Sequence, residues 1–181
     1  MSKLFVISGS SGVGKGTVIK EFLRRNPEFK LSVSCTTRAP REGEEHGKNY
    51  FFLTRDDFQA CIERGEFLEW AEFSGNMYGT QRPYIEEKLA QGKRLILEID
   101  TKGALNVKKI MPEAVLIFIL PPSFEELEAR LRGRHTETEE AIQKRLASTK
   151  LELENSKHFD YEIINDNIDS AVQKLEEIMK L

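Results

Sequence analysis

The chain has 181 residues, 39% of them hydrophobic and 31% charged, the make-up of one globular domain that buries roughly 70% of the surface its unfolded form exposes. A formal net charge of -3 offers no global attraction for nucleic acid, and no run approaches the ~20 apolar residues of a membrane span, so neither partner class is expected. Cys35, Cys61 and the histidines at 46, 135 and 158 lack the spacing of zinc ligands, redox pairs or a Ser-His-Asp triad.

Residues 4–8 form an apolar run with no charged and apolar leader before it, which predicts a strand and a cytoplasmic location. From 13 to 26 the period changes. Val18, Ile19, Phe22 and Leu23 fall on one side of a helix, so a strand, a glycine turn and a helix follow one another. A charged, β-rich insert then spans residues 32–82, and Thr54 with Asp57 marks a helix start inside it by capping-box spacing. Near-continuous apolar runs at 95–99 and 115–120 predict central strands covered on both faces, and 161–164 a shorter third. Gly92 closes the helix before the first of these, and Pro121-Pro122 ends the second. Ser123 with Glu126 opens a helical segment over 123–157, in which Gly133 is a second helix-closing position. Together these predict a single α/β domain: a parallel-sheet core (1–31, 83–122 and 158–181) with helices on both faces, broken by the insert (32–82) and by a helical lid (123–157).

Gly9-Ser10-Ser11-Gly12-Val13-Gly14-Lys15 fits the opening of the Walker A pattern, between the strand and the helix that its mechanism needs. Glycines let successive N–H groups turn inward, the helix N-terminus adds positive potential, and the Lys15 ammonium reaches the β- and γ-phosphates. ATP is the expected guest. The pattern next asks for a Ser or Thr as magnesium ligand, but Gly16 stands there and Thr17 follows it. No direct protein ligand is therefore assigned to Mg2+. The metal is expected on the ATP phosphates and water, with Thr17 and Asp100 reaching it through water.

A phosphate loop implies a nucleotide and leaves the reaction open. The rest of the chain narrows it, through SCTTRAPREGE at 34–44, FLEWAEFSGNMYGT at 67–80 and RLRGRHTETEEAIQKRL at 130–146. On these segments the sequence resembles guanylate kinase over essentially its whole length. The resemblance implies a P-loop fold with a monophosphate-binding insert and a lid, and transfer of the γ-phosphoryl of ATP to GMP with Mg2+. It puts the acceptor phosphate against Arg38, Arg41, Tyr50 and Tyr78, and the base against Glu69, Ser34 and Thr80. Guanine shows N1–H and N2–H donors beside an O6 acceptor, which one carboxylate and a hydroxyl match and adenine inverts.

By strand alternation Glu69 shares a face with Phe67, Ala71 and Phe73. Glu98 and Asp100 project from one face at the carboxyl end of the 95–99 strand, the ligand side of an open parallel sheet, and the resemblance favours Asp100 as the acid near the guanine. Lys15 and the lid arginines Arg130, Arg134 and Arg145 are the expected transfer residues, against the alternative of helix-surface ion pairs such as Glu126 with Arg130. Asn165 falls in the family's adenine-side loop. Two other functions stay open: a guanylate-kinase-like module that binds protein without catalysis, and a kinase for another nucleoside monophosphate. The intact loop around Lys15 argues against the first, and the set Glu69, Ser34 and Thr80 against the second. No obligate protein partner is implied.

Overall fold

The structure, a computed structural model, describes residues 3–10, 12–133 and 138–180, without the side chains of Arg130, Leu131 and Arg145. Strand β1 (Lys3–Gly9) is apolar from residue 4 to residue 7 because it lies mid-sheet and is covered on both sides. Its neighbours β7 (Arg94–Glu98) and β8 (Val115–Leu120) hold it in parallel register, Val6 facing Leu97 and Leu116. Outer strands β2 (Phe29–Leu31) and β9 (Tyr161–Ile164) complete the five-stranded order β2-β7-β1-β8-β9. Phe5 and Ile7 pack toward α1 (Lys15–Arg25) and α7 (Ile168–Met179), meeting Val18, Phe22, Val172 and Leu175. Leu4 and Val6 pack toward α3 (Arg82–Ala90) and α4 (Thr101–Ile110), meeting Ile85, Ala104 and Val107. Each large side chain so buried contributes ~1.5–3 kcal/mol, and the expected parallel sheet with helices on both faces is what results.

A second sheet stands beyond the carboxyl ends of the first, in the order β4-β3-β6-β5, from β3 (Cys35–Thr36), β4 (Phe51–Phe52), β5 (Phe67–Phe73) and β6 (Asn76–Gln81). Helix α2 (Arg55–Glu63) packs on it through Phe58 and Cys61, which join Cys35, Phe67 and Met77 in a separate apolar cluster. Both cysteines are free and buried, and burial pushes the Cys35 thiol up to about 12. Helices α5 (Phe124–Arg132) and α6 (Glu139–Asn155) hold each other through Leu127, Ile142 and Leu146 and through Arg132, which pairs with Glu128 and Glu139.

The expected caps form: the Thr54 hydroxyl accepts from the Asp57 N–H at 3.0 Å and the Ser123 hydroxyl from the Glu126 N–H at 3.0 Å. Gly92 closes α3 in the left-handed region, φ +77°, with the Lys93 N–H donating back to the Lys88 carbonyl at 3.1 Å. Gly133 behaves differently, ending α5 at φ -66° in the ordinary helical region. Two boundaries are corrected, and one strand escapes the sequence pattern. Helix α1 starts at Lys15 rather than 13, because left-handed Gly12 and Gly14 keep the preceding residues in the loop. Strand β7 stops at Glu98, and Asp100 is not a strand residue at all: it is the N-cap of α4. Strand β2, only three residues long and carrying Lys30, is too short and too polar to show as a period.

Candidate functional site

The phosphate loop leads from β1 into α1 at the carboxyl edge of the sheet. Gly14 is the N-cap, at φ 87°, and no side chain caps the helix, which leaves the start of α1 open to an anion. The loop is braced from β9's end, where the Asn165 Nδ2 donates to the Val13 carbonyl at 2.8 Å. A Cβ at position 14 would meet that same nitrogen at 2.9 Å, so glycine is required there on two counts. Asn165 is 6% exposed; its amide serves the loop's backbone, a role that the sequence reading did not assign. Gly16 and Thr17 lie exposed in the first turn of α1, and Ser10 is buried under the loop. Ser11 lies outside the described residues.

Lys15 turns from the loop across the sheet end, its Nζ donating to the Ile99 carbonyl at 3.5 Å. Burial lowers its pKa, against the opposing pull of Glu98, Glu152 and Asp100. Glu98, ranked below Asp100 in the sequence reading, is the acid nearest the loop: its Oε1 would lie 3.7 Å from a Cβ at Gly16. It lines both the phosphate-loop cleft, of about 310 Å³, and an adjoining cleft of about 320 Å³ beneath the second sheet.

That adjoining cleft gathers Ser34, Tyr50, Glu69, Tyr78 and Asp100 with Ala71, Phe73, Gly79, Glu98 and Ile99. Glu69 is set into it by β5. Its Oε1 accepts from the Thr80 hydroxyl at 2.7 Å, Thr80 being its partner across the ladder and wholly buried. Burial raises the Glu69 carboxyl above the usual carboxylate range, and the Asp100 charge adds to that. The expected face is corrected in one member. A register shift between Phe67 and Glu69 interrupts the alternation, so Ala71 and Phe73 line the cleft with Glu69, whereas Phe67 stacks on Phe58 at 4.4 Å in the α2 cluster.

At the outer end of the cleft the Arg38 guanidinium lies over the Tyr50 ring, 5.5 Å from its centroid, and Tyr50 meets Tyr78 edge-on at 6.3 Å. Glu44 fixes this arrangement. One oxygen accepts from Arg38 Nη2 at 2.9 Å and the other from the Arg41 N–H at 2.8 Å, and these bonds hold the Glu44 carboxyl below its ordinary range. Sequence reasoning missed Glu44, although an acid three residues beyond Arg41 in a loop stiffened by Pro40 is the signal that would have found it. The Arg41 side chain is exposed at the rim. Of the lid arginines, Arg134 and the side chains of Arg130 and Arg145 lie outside the described residues; the backbones of Arg130 and Arg145 belong to α5 and α6. No group of three or more His, Cys, Asp or Glu residues is arranged to hold a metal among the described residues.

The guanylate kinase family profile matches residues 1–181. The chain belongs to the guanylate kinase family. It is 51% identical over 181 residues to a guanylate kinase of Parasynechococcus marenigrum (strain WH8102), covering 100% of both chains. To a guanylate kinase of Prochlorococcus marinus (strain MIT 9313) it is 52% identical over 179 residues, covering 99% of this chain and 95% of that one. The crystal structure of guanylate kinase from Anaplasma phagocytophilum superposes with a TM-score of 0.75 at 33% identity, covering 99% of this chain and 85% of the other. Membership accounts for a phosphate-loop cleft beside a second cleft that carries a half-buried carboxylate at one end and a guanidinium at the other. No helix among the described residues is long and apolar enough to cross a membrane.

Proposed function

We propose that the chain transfers the γ-phosphoryl group of ATP to GMP, giving ADP and GDP. The observation that carries this reading is the half-buried Glu69 carboxylate, tied to Thr80 at 2.7 Å in a cleft that adjoins the phosphate loop. A carboxylate there accepts from guanine N1–H and N2–H, while the Ser34 hydroxyl on the same lining suits O6. Arg38, Tyr50 and Tyr78, with Arg41 at the rim, suit the acceptor phosphate, since a guanidinium fork matches a dianion.

The acceptor phosphate is largely ionised near neutral pH, its second pKa being ~6, so no side-chain base is needed. One of its oxygens attacks the γ-phosphorus, a new P–O bond forms, and the bond to the β–γ bridging oxygen breaks to leave ADP. What the protein supplies is alignment of two polyanions, compensation of their charge and exclusion of water. Lys15 and the loop N–H groups hold the donor. Arg130, Arg134 and Arg145 are assigned to the transferring group, and the segment 123–157 to a lid over the core (1–31, 83–122 and 158–181) and the insert (32–82). Mg2+ bound with ATP would screen the phosphate charge. The exposed hydroxyl of Thr17 and the Glu98 carboxylate beside Gly16 fit a cation kept mainly by phosphate and water. Free buried thiols at Cys35 and Cys61 agree with a cytoplasmic setting.

The test is a coupled assay of ADP release with ATP and each monophosphate in turn. GMP turnover should exceed AMP turnover by orders of magnitude at equal concentration, and comparable rates would overturn the base assignment.

A further inference from the structure

Helix α4 carries a glycine that its own backbone does not call for. Gly103 is the third residue of the helix and is not among the residues with positive φ. In a helix, alanine is preferred over glycine by ~1 kcal/mol, so this glycine weakens α4 unless its missing side chain is needed. The space around it shows the need. A Cβ at 103 would lie 3.1 Å from Glu69 Oε2, 3.2 Å from Asp100 Oδ1 and 3.4 Å from Glu69 Cγ. Every one of these atoms belongs to an acid that lines the base end of the cleft.

Hydrogen bonds hold both acids in these positions. Glu69 Oε1 accepts from the Thr80 hydroxyl at 2.7 Å, and Asp100 Oδ1 accepts from the Gly103 N–H itself at 2.6 Å. Gly103 thus does two things at one point, its N–H fixing Asp100 and its bare Cα leaving room for Glu69. Resting on the guanine reading of Glu69, we infer that Gly103 is a positioning residue for base recognition, seating the Glu69 and Asp100 carboxylates side by side so that they face a donor-rich base edge. It touches no reacting atom and acts through those two side chains. A Cβ would push them by a few tenths of an ångström, which breaks alignment without removing either group.

The test compares Gly103→Ala with the parent on GMP, on IMP, which lacks the 2-amino donor, and on ATP. In the variant the KM for GMP should rise about tenfold with kcat nearly kept, which is of the order expected for a small misplacement of one recognition group. IMP should suffer less, so the GMP:IMP preference narrows about threefold or more, while the KM for ATP stays at the parent value. The melting temperature should be unchanged or higher, since helix propensity improves. Glu69→Asp supplies the second arm: its carboxylate is withdrawn by one methylene, so adding Gly103→Ala in that background should cost less than half of its effect in the parent. An unchanged KM for GMP and an unchanged GMP:IMP ratio overturn the inference. So does a loss shared equally by GMP, IMP and ATP with a lowered melting temperature, which marks a purely structural role. Failure of the parent to phosphorylate GMP would strike the proposed function instead, and the two failures are told apart by the parent's own turnover.

Discussion

Replacing Glu69 by glutamine keeps the shape of the side chain and removes its charge, which makes it the sharpest probe of the base end. The carbonyl oxygen of the new amide still accepts from Thr80, whose hydroxyl bonds Glu69 at 2.7 Å in the parent, so the amide nitrogen is turned toward the ligand. Guanine N1–H and N2–H then meet a donor. The loss combines a hydrogen bond to a charged group, ~1.5–3 kcal/mol, with an unpaired donor, ~1–3 kcal/mol, which together lower kcat/KM for GMP by about two to four orders of magnitude. Stability moves the other way. Burial raises the folded-state pKa of Glu69 above its unfolded value, so the protonated acid is the form the fold favours. Its stabilising contribution is fully present below the unfolded pKa of ~4.3 and is lost as pH rises through the folded pKa. Glutamine escapes that loss, so Glu69→Gln should melt higher than the parent at pH 7, with the gap closing toward pH 4. Calorimetry at the two pH values and the coupled assay with GMP and AMP read both effects. A variant that melts lower at pH 7 and keeps the parent's GMP:AMP ratio would refute the reasoning.

Lys15→Ala should cut kcat by about a thousandfold or more with a nearly native circular dichroism spectrum and melt, because the lost ammonium serves charge that develops in transfer. Arg134→Ala and Arg145→Ala should likewise lower kcat far more than they lower the melting temperature; lost stability with full activity would assign these arginines to helix-surface pairing. Asn165→Ala leaves the Val13 carbonyl, which accepts from Asn165 Nδ2 at 2.8 Å, without its partner, costing roughly 2 kcal/mol and about 4–8 °C in Tm; an unaltered Tm with a raised KM for ATP would make it a ligand contact instead of a brace. Activity should vanish in EDTA, and Thr17→Ala should lower kcat/KM for ATP severalfold, while Gly16→Ser is tolerated; full activity in EDTA would remove magnesium from the scheme.

How far the sequence could be read depended on whether the cause was local. Strand β1, the loop glycines and the caps at Thr54 and Ser123 are set by neighbours within four residues, and they show as periods or spacings. What was missed depends on backbone geometry or on distant partners. Asp100 looks like a strand residue because Leu97-Glu98-Ile99-Asp100 continues the strand as an alternation, whereas its side chain accepts from the Gly103 N–H as the N-cap of α4. The Phe67 face was misjudged because alternation assumes an unbroken ladder, whereas β5 shifts register against β6 just before Glu69. Asn165 reads as a loop residue in sequence; its bond to Val13 spans 152 positions. Glu44 was within reach, but its bonds to both Arg38 and Arg41 are a matter of loop closure rather than of period.

The two half-buried charges at the ends of the site also explain each other. Lys15 is driven toward neutrality by burial and kept charged by Glu98, Glu152 and Asp100, while Glu69 is driven toward protonation by burial and by Asp100. Asp100 therefore acts on both with opposite effect, supporting the ammonium and opposing the carboxylate. On the proposed function, a phosphate arriving at Lys15 would take over the role of those acids and be repelled by them, which calls for charge compensation from the loop N–H groups and from a cation carried with ATP as the ammonium leaves the Ile99 carbonyl. At the other end a base with two donors, bound as proposed, would supply Glu69 with the partners that its desolvation took away. Ligands at both ends thus relieve a cost already incurred in folding, so each should raise the melting temperature, by an increment that grows with ligand concentration over Kd. The acid row between the two ends ties them together: removing the Asp100 charge should ease ionisation of Glu69 while weakening the hold on the Lys15 ammonium, so the two ends cannot be tuned independently.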